Sequence, residues 1–123
     1  MKLHSSLPSG VNTITGYGEG FVTVNSERRT SSLVVLPDRI EPWAAGSFDA
    51  LSAEDFRFLK ALGAEIVLLG TGARQRFPHP RLTVELAQAG IGLEVMDLQA
   101  ACRTYNILVA EERKVAAALI LET

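Results

Sequence analysis

The chain has 123 residues and a mass of 13.3 kDa, 47% apolar and 21% charged, a length and composition that suit one globular domain folding without disulfide or metal staples. Twelve basic residues against fourteen acidic ones leave a net charge of -2 and a pI near 5.7, which excludes a general electrostatic footprint for nucleic acid. No apolar run reaches the roughly 20 residues of a bilayer span, Met1–Ser5 lacks the apolar core of a signal peptide, and a lone Cys102 excludes an internal disulfide framework; the expected location is cytoplasmic.

One domain over residues 1–123 is expected, with no repeat, linker or low-complexity tract. Residues 1–12, rich in Ser, Gly and Asn, read as an irregular arm. Tyr17-Gly18-Glu19-Gly20 marks a bend. Phe21–Val24 and Leu33–Leu36 then bracket the polar stretch Asn25–Arg29, which reads as a β-hairpin. Leu33–Leu36 is apolar at every position and suits a central strand covered on both faces. Pro37 and Pro42 leave room for only a short edge strand around Ile40.

A helix comes next whose start is written plainly: Ser52 with Asp55 three residues on makes a capping box, and Leu51 with Phe56 stands at staple spacing. Phe56, Leu59 and Leu62 form its buried stripe and Gly63 its left-handed stop. Glu65–Leu69 is a buried strand. Pro80 opens a second helix with Leu82, Leu86 and Ala89 on one face, Gly90 closes it, and Leu93–Met96 is the next strand. Strand, helix and strand within residues 65–96 make a βαβ unit, so the two strands should run parallel. Asp97 caps a third helix with Leu98, Ala101, Cys102, Tyr105, Leu108 and Val109 in its apolar stripe. Residues 115–121 suit either a helix, by their alanines, or a buried strand, by their uninterrupted apolarity; strand is the reading adopted.

Gly70-Thr71-Gly72 stands where a parallel strand ends, the place where open α/β sheets bind ligands. The phosphate-loop patterns do not fit: Gln75 occupies the place of the third dinucleotide glycine, and no Gly-Lys-Ser/Thr is found after the turn. The glycines read as a tight turn and a close packing contact at the edge of a cleft, with no cofactor. Arg74 and Arg76 lie just beyond, where they could meet a carboxylate or phosphate, and with Phe77 and the prolines they could equally form a protein-binding surface. Arg103 and Asn106 fall away from the apolar stripe of the third helix, facing solvent or the cleft. Asp97 could face the cleft as a base, although capping explains it more simply. Cys102 lies on the core stripe and reads as structural. His4, His79 and Cys102 have no metal-ligand spacing, and no metal site is expected.

The run Ala101–Leu108, with Glu111-Glu112-Arg113, Ala117–Ile120 and Leu69–Gly72, resembles the small α/β family of unknown function founded on an archaeal hypothetical protein. That family's mitochondrial members include assembly factor 3 of NADH:ubiquinone oxidoreductase, respiratory complex I. The resemblance covers nearly the whole chain. It implies a three-layer α/β domain with a mixed, largely parallel central sheet, to which the residues themselves add an N-terminal hairpin and about three helices. It also supports a strand at 115–121, and it implies no established enzymatic activity. Mitochondrial members carry a targeting extension not seen here, which points to a free-standing prokaryotic relative. Relatives often have glycine where this chain has Glu112, so a turn with positive φ there would be strained.

The leading expectation is a non-enzymatic interaction or assembly-type protein with protein partners. The alternative is a small-anion-binding domain or enzyme using Gly70, Thr71 and Gly72 with Arg74 or Arg76. Affinity capture separates the first, and a ligand screen by thermal shift the second.

Overall fold

The computed structural model describes residues 10–122; most of the expected N-terminal arm, with His4, lies outside them. A small antiparallel sheet comes first, in the order β1 (Ile14–Gly18), β2 (Phe21–Val24), β3 (Glu27–Arg29). The larger sheet has five strands: β4 (Leu33–Leu36), β5 (Arg39–Pro42), β6 (Ile66–Gly70), β7 (Gly92–Met96) and β8 (Val115–Leu119), in the order β5-β4-β8-β6-β7. β4 pairs antiparallel with β5 and β8, while β6 pairs parallel with β7 and β8. The sheet is therefore mixed, and β6 and β7 are the parallel pair expected of the βαβ unit. The strand reading of residues 115–121 holds over Val115–Leu119.

The expected hairpin is corrected. β2 turns back at Asn25-Ser26, both at positive φ (51° and 68°), a two-residue turn of the kind that closes tight hairpins, and pairs with Glu27–Arg29. Leu33–Leu36 is a strand, but it belongs to the other sheet. The polar Glu27-Arg28-Arg29 disguised β3 as a loop.

Three helices complete the described residues: α1 (Ala53–Lys60), α2 (Pro80–Gln88) and α3 (Leu98–Ala110). The box that opens α1 is formed, with the Ser52 amide donating to Asp55 Oδ2 at 2.9 Å, and Gly63 beyond its end sits at φ +81°. Phe56 and Leu59 are fully buried. In α2, Leu86 is buried, whereas Ala89 is exposed because the helix ends at Gln88.

Side chains on the five-stranded sheet alternate between two cores. Val34, Leu36, Val67, Leu69, Ala116 and Ala118 meet α1, α2 and Trp43 on one face. Leu33, Val35, Leu68, Ala117 and Leu119 meet α3 and the small sheet on the other. The result is three layers, with β8 at the centre. Its Ala116-Ala117-Ala118 run, wholly buried, is small enough to let both outer layers close onto the sheet at interior packing density.

Candidate functional site

The three parallel strands end together: Gly70 is in register with Met96 of β7 and Leu119 of β8. Just past those ends lies a cavity of about 910 Å³ whose walls include Glu19, Gly46, Gly72, Arg74, Asp97 and Glu122. This is the edge where α/β sheets place their ligands.

The turn that borders it is built around Thr71. Its amide donates to Met96 O at 2.9 Å, its hydroxyl donates to Arg74 O at 2.7 Å and accepts from the Arg76 amide at 3.0 Å. One buried hydroxyl thus closes the loop from Gly72 to Arg76 upon itself. Gly72 adopts φ +93°, which L side chains rarely take, and its carbonyl accepts from the Leu98 amide at 2.8 Å. Gly70 serves packing: a Cβ there would lie 3.0 Å from Leu119 Cδ2 and 3.1 Å from Ala101 Cβ, so its absence lets α3 settle on β6.

Arg76 points inward. Its Nη2 donates to Thr71 O at 2.7 Å and pairs with Glu122 Oε1, while the guanidinium stacks over the Phe48 ring at 4.7 Å. Glu122 Oε2 accepts from the Phe48 amide at 3.0 Å. The Arg76 hydrogen bond, seconded by that amide, holds the Glu122 carboxyl below its ordinary value of 4.5. The strand-end loop, the segment before α1 and the chain after β8 are tied into one strut, and the Arg76 charge is spent inside the protein. Arg74, by contrast, is exposed and has no ion pair among the described residues.

The residues singled out from the sequence are only partly gathered here. Gly72, Arg74 and Arg76 line the cavity, with Asp97 beside them; Thr71 is the buried clip beneath, and Gly70 the packing contact. Phe77 stands outside the cavity wall and is 71% exposed. Arg103 is exposed on α3. Asn106 corrects the expectation of a solvent- or cleft-facing side chain. It is buried at 6% exposure, with Oδ1 accepting from the Ile14 amide at 3.0 Å and Nδ2 donating to Ile14 O at 2.8 Å. It docks β1 onto α3 and is not part of the cavity lining.

Asp97 acts as the cap of α3, accepting from the Ala100 amide at 2.8 Å. Burial pushes the Cys102 thiol up to about 12, leaving it protonated and unreactive at neutral pH. His79 Nδ1 accepts from the Arg81 amide at 3.1 Å and caps α2. Among the described residues no group of three or more His, Cys, Asp or Glu side chains could hold a metal ion. Glu122 and Phe48 were missed from the sequence; the one available signal was a lone acid at the end of the apolar run from Val115 to Leu121.

Layering, strand order and strand-end turn define a three-layer α/β protein with a mixed sheet. The chain belongs to the family described as a protein of unknown function, DUF498/DUF598, whose profile matches residues 14–120. A crystal structure of a protein from Bordetella parapertussis superposes with a TM-score of 0.86 at 37% identity, covering 93% of this chain and 99% of that one. The solution structure of a Bordetella pertussis protein, described as a Mth938-like domain, has a TM-score of 0.80 at 32% identity, over 98% and 92% of the two chains. The sequence is 36% identical over 114 residues to the NADH dehydrogenase [ubiquinone] 1 alpha subcomplex assembly factor 3 of Danio rerio, which covers 91% of this chain and 66% of that protein. This chain thus spans just under two thirds of that relative's length.

Proposed function

We propose that this chain is a non-enzymatic factor of the complex I assembly type, which acts by binding protein partners. The observation that carries the reading is its 36% identity to assembly factor 3 across 91% of its length.

The contact surface we assign is the segment from Arg74 to Pro80. Phe77 is the most exposed large apolar side chain among the described residues, and its backbone is held on both sides. Gln75 Nε2 donates to Val95 O at 2.8 Å and Thr71 receives the Arg76 amide at 3.0 Å on one side, while Pro78 and the His79 cap fix the chain on the other. A rigid exposed aromatic beside an exposed arginine that forms no ion pair among the described residues is the composition of an interface anchor, because little conformational entropy is lost when it docks. A partner would offer an apolar pocket flanked by acidic groups.

The test is rescue in a vertebrate cell line lacking assembly factor 3, using this chain behind a mitochondrial targeting peptide. Mature complex I on native gels and NADH:ubiquinone oxidoreductase activity should recover. An imported, folded chain that restores neither overturns the proposal.

A further inference from the structure

We infer that a second cavity, at the opposite end of the sheet where β6 and β8 begin, binds a single-chain amphiphile with an anionic head. It has a volume of about 430 Å³, within the roughly 300–1,000 Å³ of small-molecule sites. Its floor is apolar, formed by Val11, Leu36, Leu62, Val109 and Val115. Its rim carries Arg113 and Lys114, neither of which has an ion-pair partner among the described residues. The rim's other charges are accounted for. Arg39 is shared between Asp38 at 3.1 Å and Glu41 at 3.4 Å and also donates to Leu62 O at 2.8 Å, so it is not available to a ligand. Among the described residues that line the cavity, Arg39, Arg113 and Lys114 stand against Asp38 and Glu112, a net charge of +1 in which Arg113 and Lys114 are the cations without an ion pair.

The turn that presents those cations is fixed. Glu112 holds φ +60°, a conformation that costs an L residue energy and persists only where its surroundings enforce it. The Glu112 amide donates to Val109 O at 2.9 Å and the Arg113 amide to Leu108 O at 3.0 Å, while Lys114 O receives the Glu65 and Ile66 amides at 2.8 and 3.2 Å. Arg113 and Lys114 therefore leave the backbone from set positions beside an apolar floor. A neutral hydrocarbon would use the floor and ignore the rim; a small anion would do the reverse. A ligand joining a hydrocarbon chain to an anionic head uses both.

The test is an NMR titration of the ¹⁵N-labelled full chain with sodium octanoate. Saturable shifts are expected at the amides of Val11, Gly63, Ala64, Val109 and Glu112 to Val115. Sodium acetate and octanol should each bind about tenfold more weakly or worse, as should octanoate to the R113E/K114E variant, whose exposed substitutions keep the fold. Octanol or octyltrimethylammonium binding as well as octanoate would overturn the inference. So would shifts centred on Arg74 and Gln99, or no saturable shift at roughly 5 mM. Sedimentation with vesicles containing phosphatidylglycerol separates the two sources of such a head. Binding to vesicles without the octanoate shifts would assign the cations to a bilayer surface and overturn the cavity.

Discussion

Asn106 shows how one side chain can fasten two layers together. Its amide completes both hydrogen bonds of Ile14, whose residue is 1% exposed. Asn106→Leu would leave a buried N–H and a buried C=O without partners, at about 2–4 kcal/mol in total; urea unfolding should report that loss. Glu112 is the opposite case. At φ +60° it occupies the backbone region that suits glycine, so Glu112→Gly should stabilise the fold by about 0.5–1 kcal/mol, strain relief exceeding the added freedom of the unfolded chain. A destabilised glycine variant in the same measurement would refute the strain. These residues also mark the limit of what is legible in a sequence. The strain at Glu112 followed from the resemblance, whose members often have glycine there, whereas Asn106 bonds to a residue 92 positions away, and no periodicity in α3 encodes that contact. Polarity alone sent it to the surface. Tyr105, placed by periodicity in the apolar stripe of the same helix, is a buried core ring whose hydroxyl donates to Asn12 O at 2.9 Å, since a buried tyrosine nearly always needs such an acceptor.

Among the elements, those announced by local chemistry were legible. The Ser52–Asp55 box, Pro80 at the first turn of α2 and Asp97 at the cap of α3 all lie within a few residues of the structure they specify. The pairing of β2 was not, because a short charged strand such as β3 has the composition of a turn. The strut of Arg76, Glu122 and Phe48 was equally hidden, since it joins three segments distant in sequence. It has a pH signature. The Glu122 carboxyl is held below its ordinary 4.5 in the folded state, so its contribution is fully present above that value and is lost as pH falls through the lowered one. Thermal unfolding between pH 7 and pH 3 should therefore show a steeper fall in stability below about 4.5 than Glu122→Gln shows. Parallel curves for the two proteins would mean that the pair contributes nothing to stability.

At the level of the whole molecule, the sheet separates two ends of different chemistry. The end where the parallel strands finish is closed by Thr71, Arg76 and Glu122 and carries Arg74 and Phe77 outward; the other presents Arg113 and Lys114 over an apolar floor. If Phe77 is a partner anchor, its removal must uncouple stability from function. Phe77 is 71% exposed, so Phe77→Ala should change the unfolding free energy by no more than about 0.5 kcal/mol. Leu86, fully buried in the core between the sheet and its helices, supplies the contrast: Leu86→Ala should cost about 2–5 kcal/mol. Both variants would be measured for urea unfolding and for rescue of complex I in the cells lacking assembly factor 3. The expected pattern is a stable Phe77→Ala that is imported normally but rescues poorly, with any loss in Leu86→Ala tracking its lower abundance. Full rescue by Phe77→Ala at equal abundance would remove this loop from the interface while leaving the assembly role to be judged by the unsubstituted chain.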